Sequence, residues 1–216
     1  MITTILLAVT LTQMQQCIDQ IDPLYERGQV ATWSGRANSK CTVKIETLAT
    51  NKDATLVAGW YRWPLADMPQ YLVVALVVYE KKNEATPLLT RVESEEIARF
   101  EKVAVRPAGG QRVLDILSCV NGTGGCAQEL FAWRSGALLP IATNYRDAFN
   151  RKLPPGLTTY KSPSIDLKTM TIRGGGWRDG KDPNCCPSIS MQCKVSLAGD
   201  QARLSACRTA KPSDFD

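Results

Sequence analysis

The distribution of cysteines constrains this chain more than any other feature of its sequence. Eight cysteines occur in 216 residues, and they fall into local groups. The positions are Cys17 and Cys41, then Cys119 and Cys126, and finally Cys185, Cys186, Cys193 and Cys207. A high and even number of cysteines is typical of a disulfide framework formed in an oxidising compartment. Zinc binding by the last four thiolates is the alternative.

The grouping favours disulfides between cysteines that are close in sequence. We expect the first two cysteines to pair with each other, and Cys119 to pair with Cys126 across a short turn. Adjacent Cys185 and Cys186 rarely bond to each other because the resulting ring strains the peptide, so the two cysteines downstream are their expected partners. Eight cysteines allow on the order of 100 pairings, and this connectivity is a hypothesis from proximity alone.

The N-terminus suggests a targeting segment. Residues 2–12 are apolar and uncharged, about as long as the apolar part of a signal peptide and too short to cross a bilayer. We therefore predict a leader over residues 1–16, a periplasmic or secreted protein, and no transmembrane segment. The rest, residues 17–216, is expected to form a single domain. A buried first strand or helix is the alternative for the apolar run.

Composition excludes several classes of function. The chain has no histidine, which removes Ser-His-Asp triads, Cys-His pairs and histidine-containing metal sites. The net charge is only +5, and lysine and arginine are scattered along the chain, so we expect no nucleic-acid partner. No sequence motif indicates a cofactor. The chain is therefore expected to lack catalytic activity.

Hydrophobic periodicity predicts a mainly β fold, α+β with a few short helices, made of antiparallel strands and hairpins and cross-linked by disulfides. Residues 71–79 form a valine-rich run that predicts a strand buried on both faces. The other predicted strands cover residues 41–47, 55–63, 87–92, 112–120, 126–133, 137–141, 164–172, 188–197 and 201–207. Short helices are predicted at residues 94–100 and 144–152, the latter capped by Asn144. A Pro-Ala-Gly-Gly sequence at 107–110 suggests an internal boundary.

The glycine-rich turn at residues 121–125 allows two interpretations. Closely spaced glycines can bring backbone N–H groups to a phosphate, but no Lys-Ser/Thr pair follows and the next segment predicts a strand. Cys119 and Cys126 flank the turn, and a hairpin places such positions opposite each other. A turn closed by a disulfide is the favoured interpretation.

Residues 174–188, GGGWRDGKDPNCCPS, form the most distinctive stretch. Three glycines permit a bend or a close backbone approach, and Trp177, Arg178 and Asp179 could present an amphipathic ligand surface. Asp179, Asp182 and Asn184 could instead supply oxygen ligands to calcium, although a downstream bidentate acid is missing. A purely structural turn is the third interpretation.

Several of these motifs together resemble a pattern in exported bacterial proteins of unknown function. The resemblance covers approximately residues 108–207: the Gly-Thr-Gly-Gly turn, the segment Asn-Arg-Lys-Leu-Pro-Pro-Gly at 150–156, Trp-Arg-Asp-Gly at 177–180 and Asn-Cys-Cys-Pro-Ser at 184–188. Those proteins usually carry an Asp-Gly-Asp turn, which Lys181 interrupts here. The resemblance implies export and a β-rich scaffold, and it brings no active-site residues.

These observations favour a non-catalytic binding or structural module of the periplasm or cell exterior. Its partner would be an envelope or extracellular protein or a glycan. The contacts would be made by exposed arginines and by a recognition face of five tryptophans, Trp33, Trp60, Trp63, Trp133 and Trp177. The alternative is that most tryptophans belong to the core. A cell-envelope hydrolase that uses two carboxylates and an exported calcium- or zinc-binding domain are the competing hypotheses.

Overall fold

A computed structural model describes residues 41–64, 69–82, 85–122, 125–183 and 186–212. Over this part, the chain forms antiparallel strands and one short helix, which confirms the mainly β prediction. The elements are β1 (Thr42–Thr50), β2 (Thr55–Pro64), β3 (Leu72–Lys81), β4 (Ala85–Ser94), β5 (Ala98–Ala108), β6 (Gln111–Val120), β7 (Cys126–Arg134), β8 (Ala137–Ile141), α1 (Tyr145–Asn150), β9 (Leu157–Thr158), β10 (Ser164–Asp166), β11 (Thr171–Arg178), β12 (Ile189–Ala198) and β13 (Gln201–Ala210). The chain divides into two compact units, residues 1–99 and residues 100–216.

The first unit contains a four-stranded antiparallel sheet in the order β1-β2-β3-β4. Eight consecutive residues of β3 are buried, as predicted for its valine-rich sequence, because β3 has apolar side chains on both faces. One face carries a cluster that includes Tyr61, Trp63, Val77 and Tyr79. Alternation along β2 and β3 puts these side chains on the same side of the sheet.

The helix predicted at residues 94–100 is wrong. Strand β4 continues to Ser94, which lies opposite Val73 of β3, and β5 begins at Ala98. The intervening residues form a turn, in which the Ile97 backbone N–H donates to Ser94 O at 2.9 Å. So short a segment makes few helical hydrogen bonds of its own, and pairing with the neighbouring strand outweighs a favourable capping sequence.

The second unit contains two sheets, one in the order β5-β6-β7-β8 and one in the order β10-β11-β12-β13, with β9 paired to β11. Buried residues from both sheets, such as Val113 and Ile172, share a core with Phe149. Residues 107–110 form the end of β5 and the turn into β6, with Gly109 and Gly110 at positive φ. The division of the chain into units falls instead after Arg99.

Helix α1 confirms the prediction of a helix at 144–152, although it is shorter. Ala148 and Phe149 are its buried residues. Asn144 does not cap it with its side chain. The Asn144 amide instead accepts a 2.7 Å hydrogen bond from the Ala202 backbone N–H, and it donates to Ala202 O at 3.4 Å. The predicted capping role is therefore wrong, because the amide ties the start of the helix to β13.

The predicted strand at 164–172 is interrupted. Strand β10 ends at Asp166, and its carboxylate accepts hydrogen bonds from the Lys168 backbone N–H at 2.8 Å and from Thr169 Oγ1 at 2.9 Å. A carboxylate that binds the backbone two residues on is typical of a turn, so the chain reverses here and β11 returns alongside β10. Residues 174–176 consequently lie inside β11, so the bend is wrong. The alternative, a close backbone approach, is confirmed, because a Cβ atom at Gly174 would lie 2.9 Å from Pro163 Cβ.

A buried polar network connects the two sheets of the second unit. Asp115 on β6 is fully buried and pairs with Lys102 on β5. Gln128 Nε2 donates to Asp115 Oδ1 at 2.8 Å and to Ile165 O at 3.0 Å, while Gln128 Oε1 accepts from the Ile165 N–H at 2.7 Å. The amide of Gln128 therefore acts as a backbone partner for β10 and satisfies groups that would otherwise be buried without hydrogen bonds.

Two disulfides join neighbouring strands of the second unit. Cys119 and Cys126 lie opposite each other on β6 and β7 and are bonded, as predicted. Cys193 and Cys207 are bonded to each other across β12 and β13, so the expected pairing of these two with the adjacent cysteines is wrong. Ladder pairs on both sides leave Ala206 and Cys207 opposite Cys193 alone, and this bulge brings the two cysteines together.

The remaining cysteines of the described part of the chain are also oxidised. Cys41 and Cys186 are both disulfide-bonded. Every cysteine that the structure describes is therefore in a disulfide. The predicted partner of Cys41, Cys17, lies outside the described residues, as does Cys185.

Candidate functional site

Trp177 and Arg178, two residues of the predicted ligand surface, occupy the end of β11. Trp177 is only 3% exposed, so its assignment to a contact surface is wrong. Its ring packs edge-on against Tyr160, with ring centroids 5.9 Å apart. The same holds for Trp63 and Trp133, which are also buried, in agreement with the core alternative. Trp60 is half-buried, and Trp33 lies outside the described residues.

Arg178 points away from the core and is held in place by two side chains. Its side chain is 59% exposed. The guanidinium donates from Nε to Ser188 Oγ at 2.9 Å and from Nη2 to Asp182 Oδ1 at 3.1 Å. Its Nη1 group makes no hydrogen bond to the described part of the chain, so this end of the planar group faces a ligand or water.

Asp182 organises the turn that follows β11. Its Oδ2 accepts a 2.7 Å hydrogen bond from the Arg178 backbone N–H and another from the Ser188 hydroxyl. Oδ1 binds the Arg178 guanidinium. These donors, the backbone N–H foremost, lower the pKa of Asp182 below its usual value. The carboxylate is therefore ionised at neutral pH, which is unsuitable for the acid of a two-carboxylate hydrolase.

Asp179 directly follows Arg178 in sequence and binds a different partner from Asp182. The Tyr160 hydroxyl donates to Asp179 Oδ1 at 2.6 Å. This hydrogen bond is the main reason that the pKa of Tyr160 is raised, so the phenol stays protonated. The remaining oxygen, Asp179 Oδ2, has no hydrogen bond to the residues that the structure describes.

An open depression of about 730 Å³ lies beside these residues. Its walls come from the segment before β9, from the turn after β11 and from the start of β12. The lining residues are Pro155, Gly156, Leu157, Arg178, Asp179, Lys181, Ser188 and Ile189. We call it the Arg178 depression. It offers a mixture of cationic, carboxylate and hydroxyl groups above a small apolar base.

The structure does not assemble the predicted calcium ligands. Asp182 binds Arg178 and Ser188, whereas Asp179 binds Tyr160, and Asn184 lies outside the described residues. Across residues 41–64, 69–82, 85–122, 125–183 and 186–212, no three acidic, cysteine or histidine side chains are grouped so as to hold a metal ion. The cysteines of the zinc alternative that the structure describes are in disulfides.

Sequence reasoning identified Arg178, Asp179 and Asp182 but missed Tyr160 and Ser188. Tyr160 precedes Asp179 by nineteen residues and reaches it only because β9 pairs with β11. Ser188 approaches Arg178 because β12 returns alongside β11. Neither contact has a local sequence signal, since both depend on how strands pair.

Comparison with known proteins gives no further assignment. Neither the family models, nor the curated proteins, nor the solved structures that were compared contain a match to this chain. Within the described ranges, no helix has the length and apolar character needed to cross a membrane. The function is therefore inferred from the geometry and chemistry of the sites.

Proposed function

We propose that this protein is an exported, non-catalytic binding module that uses the Arg178 depression to hold a ligand. Every cysteine that the structure describes is in a disulfide, and this supports an oxidising compartment, either the periplasm or the cell exterior. The resemblance of residues 108–207 to exported bacterial proteins supports the same location. The lack of histidine and the lowered pKa of Asp182 favour binding over acid–base catalysis.

The guanidinium of Arg178 is the observation that carries this proposal. Asp182 and Ser188 fix its Nε and Nη2 edges, while Nη1 makes no hydrogen bond to the described residues and is therefore available to a ligand. A side chain that is already ordered loses little conformational entropy when it binds a ligand. A structural ion pair alone would not require the charged group to be held at the edge of a depression.

The groups around Arg178 favour a carboxylated glycan as the ligand. Arg178 and Lys181 provide positive charge, which suits a carboxylate. Asp179 Oδ2 can accept a hydrogen bond from a sugar hydroxyl, and Leu157 and Ile189 in the lining offer apolar contacts. A glycan that carries both carboxylate and hydroxyl groups uses all of these features.

The test is binding of a uronic-acid oligosaccharide, measured by isothermal titration calorimetry, with a neutral glucose oligosaccharide for comparison. We expect the acidic oligosaccharide to bind and Arg178→Gln to weaken it at least about tenfold, the loss of one charge-assisted contact. Ser188→Ala keeps the charge but releases the guanidinium, so an intermediate loss is expected.

Arg203→Gln is the matched control, because Arg203 is an exposed arginine of the same unit on β13 and does not line the depression. Its affinity should equal that of the unmodified protein. An acidic oligosaccharide that does not bind, or that is weakened equally by Arg203→Gln and Arg178→Gln, would contradict the proposal.

A further inference from the structure

A second concave site lies on one face of the sheet of the first unit, and the strand register shows which side chains share that face. Rows of side chains cross this face: Thr47, Val57 and Tyr79 occupy one row, and Ile45 and Gly59 belong to the next. The site has a volume of about 580 Å³. Pockets that bind small molecules commonly have volumes of roughly 300–1,000 Å³.

Two tyrosines form the floor of this site, which we call the tyrosine pocket. Tyr61 and Tyr79 are buried, and their hydroxyls are hydrogen-bonded to each other at 2.8 Å. Gly59 makes their position possible, because a Cβ atom there would lie 2.8 Å from Tyr61 Cε2 and 3.1 Å from Tyr79 Cε2. The two rings therefore occupy the space into which a side chain at residue 59 would project, and they present their surfaces to the pocket.

The walls of the tyrosine pocket are apolar. Ile45, Val57 and Ala85 line it, together with the methyl-bearing side chains of Thr47 and Thr55. Ile45 is 54% exposed, so its side chain is accessible to a ligand in the pocket. Burial raises the pKa of both tyrosines, so their hydroxyls are neutral at physiological pH.

Two lysines line the tyrosine pocket, and their side chains differ in their partners. Lys81 lies on the same face as Tyr79 and lines the pocket. Its neighbour Lys82, which also lines it, is paired with the buried Glu80 at 3.1 Å. Among the residues that the structure describes, the Lys81 side chain makes no ion pair or hydrogen bond, and no carboxylate side chain lines the pocket.

We propose that the tyrosine pocket binds an amphipathic carboxylate, with its apolar chain against Ile45, Val57 and the tyrosine rings and its acid group at Lys81. The mostly apolar walls favour an apolar chain, and the Lys81 side chain favours an anion over an uncharged ligand. This proposal is independent of the Arg178 depression. The residues that line the tyrosine pocket belong to the first unit, and those that line the Arg178 depression belong to the second.

The experiment uses decanoate and the matched uncharged alcohol decanol as probes, titrated into the full chain by calorimetry below their aggregation concentrations. We expect one decanoate to bind per chain, more tightly than decanol. Lys81→Gln should weaken decanoate about tenfold and leave decanol unchanged. Val57→Trp fills the tyrosine pocket and should prevent both decanoate and decanol from binding.

Lys44→Gln is the matched control, because Lys44 lies on β1 but points to the opposite face of the same sheet, opposite Trp60. It should bind decanoate like the unmodified protein, and circular dichroism verifies that each variant is folded. Absence of saturable binding would overturn the proposal. The proposal would also be overturned if decanoate and decanol bound with equal affinity, or if Lys81→Gln bound decanoate as tightly as the unmodified protein. A pocket covered by a second copy of the chain at the titration concentration would overturn it as well.

Discussion

Asp182 determines how the turn after β11 responds to acid. Its pKa is lowered below the model-compound value of 3.8, chiefly by the Arg178 backbone N–H and then by Ser188 and the Arg178 guanidinium. A group whose pKa is lower in the folded state stabilises that state above its unfolded pKa, and this contribution disappears as the pH falls through the folded value.

Asp182→Asn should therefore destabilise the protein at about pH 7 and have a progressively smaller effect below about pH 4. Urea unfolding of both proteins at about pH 7, 4 and 2 measures the difference. Asp166, whose pKa is lowered in the same direction, remains in both proteins and cancels in the comparison. A difference in unfolding free energy that stays constant over this range would show that the Asp182 charge is not involved.

The buried carboxylate of Asp115 depends on Lys102. Lys102→Met should lower the free energy of unfolding by about 3 kcal/mol, because it leaves a fully buried charge without its cation. Lys194→Met, an exposed lysine on β12, is the control and should cost under about 0.5 kcal/mol. Chemical denaturation measures both values. Similar losses for the two variants would mean that the ion pair contributes nothing.

The predicted ligand surface shows which residue-level inferences the sequence permits. Trp177, Arg178 and Asp179 were grouped because they are adjacent and were placed in a turn. Once β11 extends through the glycines, adjacent residues point to opposite faces, so Trp177 enters the core and Arg178 faces outward. Residue type alone could not separate the two, and the contacts with Tyr160 and Ser188 required the strand pairing.

At the level of elements, β11 depends on the absence of a side chain at Gly175. A Cβ atom there would lie 2.6 Å from the Trp177 ring and 2.7 Å from Pro187 Cβ. Gly175→Ala should cost about 1–3 kcal/mol through this overpacking. Arg173→Ala, at an exposed position of the same strand, is the control. Thermal unfolding and the near-ultraviolet signal of tryptophan report the effect, and an unchanged melting temperature would contradict the described packing.

The disulfide between β12 and β13 also acts at this level. It closes a loop with a sequence separation of 14, so Cys193→Ala with Cys207→Ala should cost about 3 kcal/mol by the chain-entropy estimate. The disulfide between Cys119 and Cys126 has a separation of 7, and its removal should cost about 2.5 kcal/mol. Denaturant titration of the two double variants measures both losses. A negligible loss in either would show that its hairpin is fixed by strand pairing alone.

Strands and hairpins were the most predictable elements, because alternation and turn residues are local signals. The final hairpin is an example: Gly199 and Asp200 form its turn, with Gly199 at positive φ. The failures at residues 94–100 and 164–172 have the opposite cause. Ser94 pairs with Val73 of the neighbouring strand β3, so β4 continues where a helix was predicted. The Asp166 carboxylate stabilises a turn within an otherwise strand-like sequence. The partner of Cys193 likewise depended on a bulge that no sequence pattern indicates.

At the level of the whole molecule, the described chain consists of two units, each with its own buried cluster. The fold class followed from the density of short apolar strands and from the cysteines. The two proposed binding sites did not, because the Arg178 depression and the tyrosine pocket are formed by residues that only sheet register brings together. Every cysteine that the structure describes is in a disulfide, and this cross-linked scaffold is the main support for the proposed export.

Intact mass spectrometry after thiol alkylation tests that central claim most directly. The protein is recovered from the cells that produce it, with thiols blocked at lysis, and is measured with and without prior reduction. We predict no alkylated thiol in the unreduced protein and eight after reduction, one for each cysteine of the chain. Eight alkylated thiols in the unreduced protein would contradict both the disulfide scaffold and the proposed export.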